Sequence, residues 1–222
     1  MNDDYAVIFD MDGVLVDTYR AHFQSWRQMA ASEGLSLTED EFATTFGRTS
    51  REIIAHFWGD GRYGEAEIAD LDQRKEALFR RIIEADFPAM PGVDKLLGQL
   101  REAGFAVAVG SSGPPENVEL VLERLGGRQQ FGAIINGMDV TRGKPDPQVF
   151  LLAAERLQVD AARCAVVEDA PAGVAAARAA GMVGIGLTST GRTAESLRGA
   201  ELVVGSLDEL SPRIIAELID RR

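Results

Sequence analysis

Two carboxylates one residue apart, Asp10 and Asp12, close an apolar run and are followed by a glycine, in the segment Phe9-Asp10-Met11-Asp12-Gly13-Val14-Leu15-Val16-Asp17-Thr18. Side chains at i and i+2 of an extended chain project to the same side, and the carboxyl end of a buried strand is where α/β ligand sites form. Such a pair invites a hard divalent cation, and magnesium takes one or two carboxylates together with phosphate oxygens. Alone, Asp-x-Asp-Gly is usually an acidic surface turn; the apolar strand running into it argues for more. A second acidic pair, Glu168-Asp169, follows the apolar run Cys164 to Val167 and precedes a Pro-Ala-Gly turn. The candidate metal ligands are therefore Asp10, Asp12, Glu168 and Asp169, with Mg2+ as the cofactor.

Phosphate chemistry also needs hydrogen-bond donors and a positive charge. Val109-Gly110-Ser111-Ser112-Gly113 ends another apolar run, so Ser111 and Ser112, with the backbone N–H groups of a glycine-flanked turn, are candidates to cradle phosphoryl oxygens. The cation of choice is Lys144 in Arg142-Gly143-Lys144-Pro145-Asp146-Pro147, where prolines stiffen the loop and a compact ammonium suits phosphate. Only Lys75, Lys95 and Lys144 are lysines among the 23 basic residues, and one of the three stands here.

These segments must be held by a regular frame. Short β-type runs recur at Ala6 to Phe9, Phe105 to Val109, Ala133 to Ile135, Ala165 to Val167, Val183 to Leu187 and Leu202 to Val204. They are nearly continuous in apolar residues, as strands covered on both faces are. Helical patterns separate them from Gly92 onward: Val93, Leu96, Leu97 and Leu100 share a face, and Gly104 stands at a C-terminal cap position. Asp146-Pro147 and Ser211-Pro212 each read as an N-cap followed by proline in the first turn. Alternating strands and helices predict an α/β fold, a Rossmann-like doubly wound parallel sheet.

About 95 residues separate the first strand from the second, far more than one crossover helix needs. Phe23, Trp26 and Ala30 fall on one helical face, Thr38 with Glu41 and Thr49 with Glu52 have capping-box spacing, and Ile68, Leu71, Leu78 and Ile82 form another stripe. The reading is an all-helical cap domain over residues 19–84, inserted into a catalytic core of residues 1–18 and 85–222. Its closure over a substrate is a further expectation.

The 222 residues are 45% hydrophobic and 26% charged, an ordinary globular balance. A net charge of −12 with no basic stripe to offset it argues against nucleic acid as a partner. Cys164 is the only cysteine, which excludes an internal disulfide and suits a reducing compartment. A strand-like run beginning at Tyr5 leaves no room for a leader, and no apolar stretch approaches the roughly 18 residues of a membrane span. The expectation is a soluble, cytoplasmic protein with no membrane partner, a monomer or weak dimer that acts on a small phosphorylated metabolite.

The ordered set of Asp-x-Asp-Gly-Val-Leu-Val-Asp-Thr, a strand ending in Ser111, Lys144 before Pro-x-Pro, and Glu168-Asp169-x-x-x-Gly resembles the haloacid dehalogenase-like hydrolase superfamily over essentially the whole chain. The resemblance implies a Rossmann-like core with a helical cap. It also implies roles: Asp10 as the nucleophile that forms an aspartyl-phosphate, Asp12 as general acid/base, Ser111 and Lys144 holding the phosphoryl group, and Asp169 completing the magnesium site with Glu168 nearby. Asp12 argues against dehalogenation, since a halide leaves without a proton. Within the superfamily, Thr18, His22, Trp26 and Ser50-Arg51-Glu52 are similar to the β-phosphoglucomutase and sugar-phosphatase branch. That similarity implies that His22 restrains Asp12 and that Arg51 binds a distal phosphate or sugar.

Mutases of that branch carry further polar side chains after the serine, whereas this chain has Ser112-Gly113-Pro114-Pro115. The balance favours a phosphatase for a small sugar or polyol phosphate, with a phosphosugar mutase as the alternative. A response-regulator receiver needs only about half this length and no insertion. A metal-dependent glycosyltransferase would leave Ser111, Lys144 and Glu168-Asp169 unexplained.

Overall fold

The computed structural model describes residues 5–45, 48–189 and 191–222. They fall into two compact units, Thr18–Phe87 and the combination of Met1–Asp17 with Pro88–Arg222.

The unit Thr18–Phe87 is all-helical among its described residues: α1 (Tyr19–Ser32), α2 (Glu39–Ala43), α3 (Ser50–Trp58) and α4 (Glu65–Ala85). Thr38 and Thr49 start α2 and α3 with complete capping boxes, each hydroxyl accepting from the N3 amide while Glu41 and Glu52 accept from the cap amides at 2.8 Å. Phe23, Trp26 and Ala30 line the buried face of α1 and pack with Met29, Phe42, Ile53, Ile54, Trp58 and Leu71 into one apolar cluster. The α4 stripe differs from expectation. Its buried row is Leu71, Lys75, Phe79 and Ile83, spaced by four residues, while Ile68 and Leu78 only flank the cluster. The buried face is rotated because a lysine lies in phase with the apolar row, and hydrophobic periodicity passes over a lysine.

The other unit holds one parallel sheet with the order β3-β2-β1-β4-β5-β6, formed by β1 (Ala6–Phe9), β2 (Ala106–Gly110), β3 (Ala133–Ile135), β4 (Cys164–Glu168), β5 (Val183–Leu187) and β6 (Leu202–Val204). The helices are α5 (Val93–Glu102), α6 (Pro115–Arg124), α7 (Gln148–Leu157), α8 (Pro171–Ala179) and α9 (Pro212–Asp220). β2 begins one residue later than its apolar run, since the Phe105 N–H closes α5 on the Leu100 carbonyl. β4 extends through Glu168, which pairs in register with Gly186. α9 starts as expected, with Ser211 capping and Pro212 in the first turn. α7 starts one residue late: Pro147 is itself the cap, and the Asp146 carboxylate accepts from the Gln148 amide at 3.0 Å.

Ala6 and Ile8 of β1 face a core shared with Val149, Phe150, Ala153 and Ala154 of α7 and Ala176 and Ala177 of α8. Val7 and Phe9 alternate to the opposite face, and α5 and α9 pack against β2 and β4. The sheet is thus wound on both sides, and its order reverses between β1 and β4, the place where open α/β sheets bind ligands at the carboxyl ends of their strands. No helix of the described residues is long and apolar enough to cross a membrane.

Candidate active site

β1 is central, paired with β2 on one side and β4 on the other, so Phe9 stands beside Val109 and Val167. Asp10, one residue beyond Phe9, is fixed to β4 by its N–H on the Val167 carbonyl at 3.0 Å. Glu168 ends β4 beside it, and Asp169 follows. Carboxylate oxygens of Asp10, Glu168 and Asp169 lie within 4.8 Å of one another, and all three residues are buried.

Lys144 joins this cluster from the loop before α7. Its Nζ donates to Asp10 Oδ1 and to Glu168 Oε1, both at 2.7 Å, and sits 4.8 Å from the Phe150 ring centroid. The second Glu168 oxygen accepts from the Ala170 amide at 2.8 Å. Burial pushes the Asp10 carboxyl well above its ordinary 3.8; Lys144 pulls it down, while Glu168, Asp12 and Asp169 push it up again. Burial alone would lower Lys144, but Asp10 and Glu168 outweigh it and hold the ammonium above its ordinary range. One ammonium against three buried carboxylates leaves an excess of acidic groups that a hard cation would balance. The donor set fits Mg2+: oxygen only, and few enough ligands to leave positions for substrate phosphate and water.

Asp12 stands outside the group of three. The chain bends at Met11, whose carbonyl accepts the amides of Val14, Leu15 and Val16, so the extended i, i+2 geometry ends with β1. A Cβ built on Gly113 would lie 3.2 Å from Ser111 Oγ and 4.0 Å from Asp12 Oδ2, so the Asp12 carboxylate borders the serine loop. The expected fourth metal ligand, Asp12, is thus placed beside the serine loop, next to the group of three. Ser111 is fully buried, held by its amide on the Ile135 carbonyl, and its hydroxyl accepts from the Gly113 amide at 3.0 Å. Ser112 is exposed.

Glycines let these pieces approach. Gly13 has φ of 75°, and a Cβ there would lie 2.4 Å from Asp169 Oδ2. A Cβ on Gly173, in the first turn of α8, would lie 1.7 Å from Glu168 Oε1. Ser189, after β5, donates its hydroxyl to the Gly13 carbonyl. Nothing in the local sequence singles out Ser189, because its partner is 176 positions away.

His22 and Arg51 belong to the helical unit. Arg51 is ion-paired with Glu65 and its side chain is about half exposed. His22 stacks on Phe79 at 4.2 Å between centroids, and its Nδ1 is 2.8 Å from Lys75 Nζ. Lys75 is only 3% exposed and also meets Glu76 Oε1 at 2.6 Å. Its four-residue phase with Leu71, Phe79 and Ile83 puts this lysine on the buried face of α4.

Residues 6–181 match the family model described as haloacid dehalogenase-like hydrolase. Among characterised relatives, the chain is 34% identical over 218 residues to Beta-phosphoglucomutase of Bacillus subtilis, covering 96% of this chain and 94% of that one. It is 33% identical over 204 residues to Hexitol phosphatase A of Escherichia coli, covering 92% of each. Among solved structures, beta-Phosphoglucomutase from Clostridium difficile aligns with a TM-score of 0.85 and 27% identity over 97% of both chains.

Proposed function

The chain belongs to the haloacid dehalogenase-like hydrolase family, and from that premise we propose that it is a magnesium-dependent phosphatase of small sugar or polyol phosphates, working through phosphorylated Asp10. The observation that carries the reading is the Lys144 ammonium held at 2.7 Å from both Asp10 and Glu168, beside Asp169, where β1 and β4 end together. Asp10, Glu168 and Asp169 would hold the cation, which when bound would supply positive charge against the phosphoryl oxygens.

Asp10 attacks phosphorus with one carboxylate oxygen while the P–O bond to the sugar breaks, dividing the transfer into two displacements. Lys144 and the buried Ser111 turn offer donors to the transferring oxygens. Asp12, bordering the serine loop, protonates the leaving alcohol and then takes a proton from the water that cleaves the acyl-phosphate. The helical unit selects the substrate, with His22 and Arg51 as its contributors.

A phosphatase is favoured over a mutase by the start of α6, where Pro114 and Pro115 offer no N–H and Glu116 places a carboxylate in the first turn. With an N–H missing and a carboxylate already in the first turn, that helix start has less to offer a second phosphate. The likeness to two phosphoglucomutases keeps the mutase as the second reading. The test is magnesium-dependent phosphate release from a panel of sugar and polyol phosphates, including β-glucose 1-phosphate with a trace of the 1,6-bisphosphate. Release that disappears in Asp10→Asn supports the phosphatase; glucose 6-phosphate formed without net release replaces it with the mutase; neither, from folded protein, removes both.

A further inference from the structure

Lys144 is delivered to the carboxylates by an exposed loop, and short surface loops do not hold an ammonium to a few tenths of an ångström unaided. The loop is closed by one side chain. Gln148 Oε1 accepts from the Thr141 amide at 3.0 Å, the Arg142 amide at 3.0 Å and the Thr141 hydroxyl at 3.3 Å. Two of these donors are backbone groups at the far end of the loop, so the bonds fix the path of the chain.

Gln148 is itself anchored. It begins α7, and the next two residues, Val149 and Phe150, are buried in the sheet core. Its own amide donates to Asp146 Oδ1 at 3.0 Å, and Asp146 Oδ2 pairs with Arg142 Nε at 3.1 Å. Residues 142–147 therefore form a closed ring whose two ends meet at Gln148, with Lys144 inside it. The Phe150 ring beneath Lys144 belongs to the same helix turn, so one rigid element sets both the floor and the clamp.

We propose that Gln148 is the positioning residue of this site, holding the loop 141–147 so that the Lys144 ammonium meets Asp10 and Glu168. The proposal rests on the reading of Lys144 as the phosphoryl-binding cation and adds the residue through which that cation is placed. Partners that orient a site residue from behind typically matter by 10-fold to 100-fold in activity. A carboxamide oxygen and a carboxylate oxygen accept the same N–H groups, so the role passes to glutamate and not to leucine of similar volume.

The chain has only three lysines, Lys75, Lys95 and Lys144, which makes lysine acylation read by mass spectrometry a direct assay of the loop. Acetic anhydride is applied to wild type, Gln148→Leu and Gln148→Glu. Lys95, with a half-exposed side chain, reports reagent delivery, the buried Lys75 reports unfolding of the helical unit, and alkylation of the buried Cys164 reports unfolding of the unit that carries Gln148. The expected result is Lys144 protected in wild type and Gln148→Glu and labelled about tenfold faster in Gln148→Leu, with Lys75 and Cys164 protected throughout. In turnover, kcat of Gln148→Leu falls about tenfold or more with KM changed less, and Gln148→Glu restores it. Equal Lys144 labelling in Gln148→Leu and wild type overturns the proposal, as does faster labelling with unchanged kcat. If Lys75 or Cys164 is labelled in Gln148→Leu, that variant has unfolded and Gln148→Asn, an amide one methylene too short to reach residues 141 and 142, decides by the same readouts. If wild type releases no phosphate from any substrate, the functional reading fails while the labelling ratio still decides the role of Gln148 in holding the loop.

Discussion

The carboxylate proposed to attack the phosphoryl group is held in a place where its own charge is costly. Burial and three acidic neighbours raise Asp10, and only Lys144 opposes them. A folded value above the ordinary 3.8 means that the folded state binds this proton more tightly, so stability from Asp10 is greatest in acid and is lost as pH rises past that value. In chelator, the melting temperature of Asp10→Asn minus that of wild type should therefore grow from pH 4 to pH 7; a difference independent of pH would show that Lys144 already compensates the charge. Lys144→Met removes that compensation and leaves two buried carboxylates facing each other. Its expected cost is about 3 kcal/mol in metal-free denaturation. Gly173→Ala acts on the same cluster sterically: with Glu168 Oε1 only 1.7 Å from the new Cβ, Glu168 must leave Lys144. We expect a loss of about 1–3 kcal/mol by denaturant melting and at least a tenfold fall in kcat.

At the scale of elements, the helical unit depends on its starts and on one polar residue in its core. Thr49→Ala removes the α3 cap and should cost about 1 kcal/mol, read as a lower denaturation midpoint. In α4, Lys75 occupies a core position between Leu71 and Phe79, with Nζ 5.7 Å from the Trp26 ring centroid. Methionine there keeps the packing but takes away the 2.6 Å partner of the largely buried Glu76, whereas alanine also leaves a cavity, so Lys75→Ala should lose about 2 kcal/mol more than Lys75→Met. Comparable losses in both variants would mean that the contact with His22 and Glu76, rather than packing, holds the helix.

The buried cluster of charged groups lies where the strand order reverses, and the stability of the molecule should respond to what binds there. Mg2+ that binds only the folded state at 100 times its dissociation constant should stabilise by about 2.7 kcal/mol, measurable as a melting temperature that rises with Mg2+ and returns to baseline in chelator. A second global response comes from Cys164, fully buried in β4, whose thiol is pushed by burial from 9.0 up to about 12. The unfolded chain ionises first, so stability should fall through this window by at most about 1.4 kcal/mol per pH unit. Cys164→Ala should flatten that part of the pH–stability curve, and an unchanged slope would assign the loss to other groups.

What the sequence determined by itself is what local patterning controls. Four of the six strands have the ends their apolar runs indicate, both expected capping boxes form, and Asp10, Glu168 and Asp169 converge because each stands at or just past the end of a strand of one sheet. The ordered motifs named the family for the same reason: strand ends in a parallel sheet share one edge. Other features were decided only in three dimensions. The bend at Met11 sends Asp12 to the serine loop, Ser189 reaches Gly13 across 176 positions, and Gln148 closes the loop that carries Lys144. The buried Lys75 is intermediate, since its phase was legible but its charge concealed it. Periodicity reports which face of an element is apolar; the partner of a polar group depends on which distant segment packs against it, and that is settled by the folded chain.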